Sequence, residues 1–192
     1  KQKVRGSSAF LCQNPGGYFA QQPMKQIYEV CHAAGCLVIM DVSGALGTEL
    51  CEGKYADIMV GSFGEWKLVE AKVGGLISAK KKEWFEKLSI TPFQDADGLA
   101  KINENMGKLP QRIAFLRKRC HAIRLDLRAF SVIHPHDDGF VVVVRYKDEE
   151  EKGKIIQYCH EQNLPFTECP RYIRLMDKAI CIEVKKLEQK SL

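Results

Sequence analysis

The chain has 192 residues, of which 45% are hydrophobic and 28% are charged. This composition is ordinary for a folded globular protein, excludes a disordered or fibrous chain, and allows one large domain or two small ones. The net charge of +5 comes from scattered, mixed clusters rather than from a basic stripe, which argues against a dedicated nucleic-acid-binding protein. No apolar stretch reaches the roughly 18 to 20 residues of a membrane span, so no membrane partner is expected.

The eight cysteines contain no CxxC pair and no histidine at the spacing of a zinc site. Several lie in apolar runs, such as Cys36 before Leu37 and Cys181 between Ile180 and Ile182. Cysteine in such a run behaves as a small buried hydrophobe. Free buried thiols are typical of a reducing compartment, so we expect a cytoplasmic protein without a metal site.

The first part of the chain alternates between strands and a helix. Strands are predicted at residues 8–12, 37–40, 56–62 and 74–78, and a helix at residues 23–34. The continuous apolar run Leu37–Met40 is typical of a strand buried on both faces, and it ends at Asp41. This order of elements predicts an α/β fold with a mostly parallel sheet and helices.

The second part begins after a short helix at residues 81–88. The polar, turn-rich segment that follows predicts a domain boundary, with residues 1–92 in a large domain and residues 93–192 in a connecting helix and a small domain. One face of residues 99–130 is apolar, and we expect Pro110 to break or begin a helix there. The apolar residues of that face are Leu109, Ile113, Leu116, Cys120, Ile123 and Leu127.

The C-terminal residues predict a small α+β domain. A strand is expected at residues 139–146, a helix at residues 148–163 with an acidic first turn, and a strand at residues 179–184. Loops are expected near Pro135 and Pro170. The pair His134 and His136 lacks a third ligand nearby and is interpreted as surface rather than as a metal site.

Asp41 and Lys67 together suggest a ligand site. Each follows a predicted strand, and open α/β sheets bind ligands beyond the carboxyl ends of their strands. A carboxylate keeps a pyridine nitrogen protonated and a lysine amine reacts with an aldehyde, which is the chemistry that pyridoxal 5'-phosphate (PLP) requires. Two structural alternatives stay open: Asp41 caps a following helix, since Ser43 and Gly44 come next, or Lys67 is a surface lysine.

The chain resembles fold-type-I PLP enzymes in three ordered segments. These are Asp41-Val42-Ser43-Gly44-Ala45-Leu46-Gly47, then residues 56–63 followed by Lys67, and then residues 74–78. The separation of 26 residues between Asp41 and Lys67 is similar to that in cysteine desulfurases and related aminotransferase class V proteins. Archaeal selenocysteine-synthase-like proteins are the members that the chain is expected to resemble most. The turn Asn14-Pro15-Gly16-Gly17 also resembles the asparagine-proline-x-glycine turn of aminotransferases.

The resemblance implies the C-terminal part of a PLP-transferase large domain followed by a small α+β domain. It implies a Schiff base between PLP and Lys67, a contact of Asp41 with the pyridine nitrogen, and a hydrogen bond from Asn14 to the phenolic oxygen. Ser62 is the candidate for the phosphate contact, and Ser43 is counted as a further cofactor-binding residue.

Two positions depart from the family pattern. Gly64 replaces a serine that often contacts the phosphate, and Trp66 replaces a histidine that often precedes the lysine. The family's N-terminal phosphate loop and its ring-stacking residue do not occur in this sequence. Because the chain starts at Lys1 without a methionine, we expect a preceding segment or a second polypeptide to supply them, and weak PLP binding without it.

Substrate residues are harder to assign. The family commonly binds the substrate carboxylate through an arginine of the small domain, which makes Arg174 the first candidate and Arg171 the second. Cys51 and Cys169 are the candidate persulfide carriers if the reaction is desulfuration.

The favoured hypothesis is a PLP-dependent transferase or lyase that acts on an amino-acid or aminoacyl substrate. By resemblance, it is a homodimer. Two alternatives stay open. One is a non-catalytic α/β interaction domain that has lost the cofactor, and the other is a tRNA-associated selenocysteine-synthase-like protein.

Overall fold

The computed structural model describes residues 9–88, 90–171 and 174–188. The chain divides into unit 1, comprising residues 1–16 and 21–109, and unit 2, comprising residues 17–20 and 110–192. Residues 17–20 belong to unit 2 because the Tyr18 carbonyl accepts hydrogen bonds from Phe140 N–H at 2.9 Å and from Val141 N–H at 3.1 Å. The division at residues 109/110 lies further along the chain than the boundary expected at residues 92/93.

Unit 1 contains a four-stranded sheet in the order β1-β2-β3-β4. The strands are β1 (Ala9–Gln13), β2 (Leu37–Asp41), β3 (Ile58–Ser62) and β4 (Gly75–Ala79). The first three are parallel and β4 is antiparallel to β3. Helices α1 (Met24–His32) and α2 (Lys82–Glu86) and a short 3-10 helix at Gly53–Tyr55 belong to the same unit. The mostly parallel sheet agrees with the prediction.

The core of unit 1 lies on one face of β2. Val38 and Met40 are fully buried and pack with Met24 and Cys31 of α1. The alternate residues of β2, Leu37, Ile39 and Asp41, are only half-buried. The expectation of burial on both faces is therefore wrong for the described part of the chain, which covers one face of this strand completely and the other only in part.

A buried carboxylate fixes the start of β3. Asp57 is 2% exposed and accepts a hydrogen bond from Val38 N–H at 2.7 Å. His32 Nε2 lies 2.8 Å from the oxygen that Val38 N–H binds, Oδ2, and the Tyr28 hydroxyl donates to the other oxygen, Oδ1, at 3.3 Å. One carboxylate thus binds α1, β2 and β3 together at the edge opposite to the carboxyl ends of the parallel strands.

Helix α3 (Ala96–Asp126) runs through Pro110 without interruption. The expectation that Pro110 breaks or begins a helix is wrong, since proline removes one backbone hydrogen bond and a long helix with a buried face tolerates that loss. The six predicted apolar residues are all buried, namely Leu109, Ile113, Leu116, Cys120, Ile123 and Leu127. Burial of this stripe is what stabilises the helix.

Unit 2 contains a second, antiparallel sheet in the order β5-β6-β8-β7. Its strands are β5 (Ser131–Ile133), β6 (Val142–Arg145), β7 (Phe166–Arg171) and β8 (Leu175–Ile182). Asp148 is the N-cap of helix α4 (Glu149–Glu161), and its side chain accepts a hydrogen bond from Glu151 N–H at 2.9 Å. This small α+β unit agrees with the prediction.

Pro170 lies in β7 rather than in the predicted loop. Because β7 has only β8 as a neighbour in the described sheet and its register shifts between Cys169 and Arg171, a residue without an N–H is tolerated there. Neither β5 nor β7 was predicted. Within the described residues, no helix combines the length and apolarity that crossing a membrane requires.

Candidate functional site

Three predicted site residues meet at the carboxyl-terminal edge of the parallel strands. Asp41 is the last residue of β2 and Ser62 the last of β3, and the two strands are adjacent and parallel. Asn14 directly follows β1, and its N–H donates to the Asp41 carbonyl at 3.0 Å. This is the edge at which open α/β sheets bind ligands.

The Asp41 side chain is half-buried and held in one orientation. Its Oδ1 accepts a hydrogen bond from Ser43 N–H at 2.8 Å. Within the part of the chain that the structure describes, its other oxygen, Oδ2, accepts no hydrogen bond. No α-helix follows Asp41 before residue 82, so the alternative in which it caps the next helix is wrong. A fixed carboxylate with one available oxygen can hold a protonated ring nitrogen.

Ser43 and Ser62 connect the ends of the two strands. The Ser43 hydroxyl oxygen accepts from Ser62 N–H at 2.9 Å, and the Ser62 hydroxyl oxygen accepts from Gly64 N–H at 3.1 Å. Ser43 is buried, whereas Ser62 is half-buried. Each hydroxyl oxygen therefore organises backbone, and each hydroxyl hydrogen is still a donor.

Asn14 is buried, and its amide binds two distant backbone groups. Its Oδ1 accepts from Gln22 N–H at 3.0 Å, and its Nδ2 donates to the Leu50 carbonyl at 3.5 Å. Both functional groups thus brace loops at the end of β1. For the predicted hydrogen bond to a cofactor oxygen, this amide has only its second N–H available. That hydrogen bond stays a prediction.

Lys67 lies in a closed loop between β3 and β4. Phe63 N–H donates to the Gly74 carbonyl at 3.1 Å, and Ala71 N–H donates back to the Phe63 carbonyl at 2.8 Å. Lys67 is half-buried, and the next residues, Leu68 and Val69, are buried. This loop is anchored by its own apolar residues, and it carries Lys67 five residues after the last residue of β3.

Arg174, the first substrate candidate, is engaged within unit 2. Its Nε and Nη2 lie 3.3 and 3.2 Å from Glu183 Oε1, and its Nη1 lies 3.4 Å from the Gly17 carbonyl. The Arg174 side chain is 13% exposed and that of Glu183 is 3% exposed. Arg171, the second candidate, is an exposed residue of β7. A role for either arginine in binding a substrate carboxylate stays a prediction.

The sequence interpretation missed Glu183 and Glu70. Glu183 directly follows the apolar run Ile180–Ile182, just as Asp41 follows the run Leu37–Met40. The signal that identified Asp41 could therefore have identified Glu183. Glu70 sits in an irregular loop, where no periodicity reveals which backbone group a carboxylate will bind. Glu183 binds Arg174, a predicted substrate residue, and Glu70 binds Trp66, the neighbour of Lys67.

All eight cysteines are free thiols. Burial raises the pKa of the Cys12 and Cys159 thiols to about 11 and that of Cys120 to about 12, and it also raises the pKa of the candidate persulfide carrier Cys51. Cys169 is buried, with its Sγ 3.4 Å from Cys181 Sγ. Because the thiolate is the nucleophile, the raised pKa of Cys51 makes that thiol less reactive. Among the described residues no group of three potential ligands forms a metal site.

We expect slow thiol modification in the native protein. At pH 8 a thiol with a pKa near 11 is about 100-fold less ionised than one with a pKa of 9, so Cys12 and Cys159 react slowly with Ellman's reagent. In denaturant all eight thiols react rapidly. Mass spectrometry of the partially modified native protein identifies any fast thiol, and rapid labelling of Cys51 or Cys169 would instead favour the persulfide hypothesis.

Comparison by sequence matches part of the chain to one family. Residues 103–192 match the MJ1341 family C-terminal domain. None of the curated proteins compared with the chain matches it.

Solved structures match almost the whole chain. Serine palmitoyltransferase from S. paucimobilis with a PLP-myriocin aldimine has a TM-score of 0.66 at 15% identity, covering 96% of this chain and 51% of that one. The complex of SepCysS with the SepCysE N-terminal domain gives 0.64 at 14% identity, with 94% and 55% covered. The aminotransferase TlmJ from Streptoalloteichus hindustanus gives 0.68 at 17% identity, with 95% and 62% covered.

The chain spans about half the length of the serine palmitoyltransferase chains it matches. Identities this low establish fold and leave chemistry to the site residues. The predicted fold class is confirmed: a mostly parallel large-domain sheet followed by a small α+β domain, as in the C-terminal part of PLP-transferase chains.

Proposed function

We propose that this chain forms the C-terminal part of a PLP-dependent transferase or lyase that acts on an amino-acid or aminoacyl substrate. Asp41 carries the proposal. It is a carboxylate at the end of a parallel strand, oriented by Ser43 N–H at 2.8 Å with its second oxygen available. Lys67 follows the adjacent parallel strand. The resemblance to archaeal selenocysteine-synthase-like proteins is part of the same proposal and favours an aminoacyl substrate.

The donors and acceptors at this edge fit PLP in part. Asp41 suits the pyridine nitrogen, Lys67 suits the aldehyde carbon, and the Ser62 hydroxyl is a donor for the phosphate. A phosphate dianion normally takes several donors, so Ser62 alone is a weak phosphate site. We propose that a preceding segment or a second copy of the chain supplies the others.

An exposed strand edge supports such an association. In the described sheet β1 pairs only with β2, and its Leu11 is 65% exposed. An apolar edge strand is a template for pairing with another segment. We also propose that the protein is a homodimer, and a tRNA association is kept as an alternative proposal.

Each residue has a defined role in the proposed reaction. PLP, when bound, withdraws electrons from the α-carbon of an amino acid. Asp41 holds a proton at the ring nitrogen, which its negative charge stabilises. The Lys67 amine removes and returns the α-proton as the general base and acid.

Borohydride labelling tests the assignment of Lys67. The full-length protein is mixed with PLP, its absorbance is scanned in the visible and near-ultraviolet region, and it is then reduced with borohydride and mapped by peptide mass spectrometry. We expect an absorbance band and a pyridoxyl mass on Lys67. Lys72 is an internal control, because it is an exposed lysine of the same loop.

Two outcomes would contradict the proposal. Equal labelling of Lys67 and Lys72 would show nonspecific reaction of lysines with an aldehyde. No band at saturating PLP would favour the non-catalytic α/β domain instead.

For the tRNA hypothesis, the affinity for tRNA is measured at increasing salt concentration. An affinity that does not fall with rising salt would contradict binding through phosphate contacts.

A further inference from the structure

The loop that holds Lys67 is tied to helix α3 through Glu70. Glu70 Oε2 accepts a hydrogen bond from Trp66 N–H at 2.8 Å. The carbonyl of the same residue accepts a hydrogen bond from the Asn105 side chain on α3. Glu70 therefore links the residue directly before Lys67 to the part of α3 that belongs to unit 1.

Trp66 needs this support because of its backbone conformation. Its φ is 57°, in the left-handed region that residues other than glycine rarely adopt. Such a conformation costs free energy and persists only where its surroundings fix it. The Glu70 carboxylate is bound to the N–H of this residue and so fixes it.

Lys67 is consequently held from both sides. Before it, Trp66 is bound by Glu70, and after it, Leu68 and Val69 are buried. The direction in which the lysine leaves the backbone depends on the conformation at Trp66, since a change of φ there rotates the following peptide.

We propose that Glu70 is a positioning residue that sets the orientation of Lys67 toward the cofactor. This inference rests on the proposed function. Glu70 acts through the backbone of Trp66 and does not itself touch the cofactor. Glu70 is not one of the residues that the resemblance assigns to PLP, all of which come before it in the chain.

The test compares Glu70→Leu with Glu70→Gln. Leucine removes the acceptor while keeping similar volume, whereas glutamine keeps an oxygen that can accept from Trp66 N–H. We expect Glu70→Leu to weaken PLP binding about 10-fold and Glu70→Gln to change it by less than about 3-fold. Glu65→Ala is the matched control, since Glu65 is an exposed carboxylate in the same loop.

A second background isolates the conformational cause. Trp66→Gly removes the penalty for a positive φ, because glycine adopts this region freely. In that background we expect Glu70→Leu to have little further effect on PLP affinity. A merely structural role would instead lower stability equally in both backgrounds and leave the share of borohydride label on Lys67 unchanged, whereas loss of positioning moves label toward Lys72.

Amide hydrogen exchange without PLP separates this inference from the proposed function. The Trp66 amide is expected to be protected in the wild type and in Glu70→Gln and to exchange faster in Glu70→Leu. Equal exchange in all three would overturn the role of Glu70 even if PLP binds Lys67. Failure of the full-length wild type to bind PLP would overturn the proposed function and with it the orientation of Lys67 toward a cofactor.

Discussion

Asp41→Asn is expected to slow α-hydrogen exchange of amino acids by about 100-fold or more in the PLP-loaded protein, since that is the usual effect of losing a charge that stabilises a transition state. The amide still accepts from Ser43 N–H, so the local geometry is expected to be retained. What is lost is the negative charge that keeps a proton on the ring nitrogen. PLP is expected to remain on Lys67.

Proton NMR in D₂O measures this effect over a panel of amino acids. Asp95→Asn is the control for loss of a carboxylate charge, because Asp95 Oδ1 accepts a hydrogen bond from Gly98 N–H at 3.0 Å at the start of α3 and Asp95 has no assigned role toward PLP. The control is expected to exchange at the wild-type rate. Wild-type exchange by Asp41→Asn, together with no exchange by Lys67→Ala, would remove Asp41 from the mechanism and leave Lys67 in it.

The sequence predicted best what depends on local periodicity. The stripe from Leu109 to Leu127 is buried as expected, because one apolar face at helical spacing specifies both the helix and its buried side. Helix α4 was expected from another local signal, the acidic residues of its first turn, which suit the helix dipole. The failure at Pro110 has the opposite origin: a local rule was overridden by burial along a helix of 31 residues.

What the sequence could not predict depends on contacts between distant residues. The amide of Asn14 is engaged by Gln22 and Leu50, and no local pattern reveals those partners. The edge strand β7 was missed because Pro170 marks a loop in most settings. Candidate residues were therefore identified by type and order, while their hydrogen-bond partners required the structure.

Glu183→Ala is expected to destabilise unit 2 by about 3 to 5 kcal/mol, because it removes one member of a buried ion pair. Glu183 binds Arg174, and Lys185 Nζ lies 3.5 Å from its Oε2. Both cations also lie close to the Tyr18 ring, at 5.1 and 4.9 Å from its centre. Without the carboxylate, two largely buried positive charges would share this site.

Asp177→Ala is the matched control in the same sheet. Asp177 pairs with Arg145 across β6 and β8, but both side chains are about half exposed, at 47% and 49%, so we expect a loss of less than about 1 kcal/mol. Urea unfolding followed by circular dichroism measures both variants. A similarly small loss for Glu183→Ala would show that water reaches the cluster and replaces the carboxylate.

A triple variant tests whether unpaired charge is the cause. Replacing Arg174 with leucine, Glu183 with leucine and Lys185 with methionine removes both cations together with their carboxylate and keeps apolar bulk. Apolar replacement of a whole buried ion cluster is often neutral or stabilising, whereas removal of one member is costly. We therefore expect the triple variant to be more stable than Glu183→Ala. The reverse order would mean that the hydrogen bond from Arg174 to the Gly17 carbonyl, rather than charge balance, is the main contribution of this cluster.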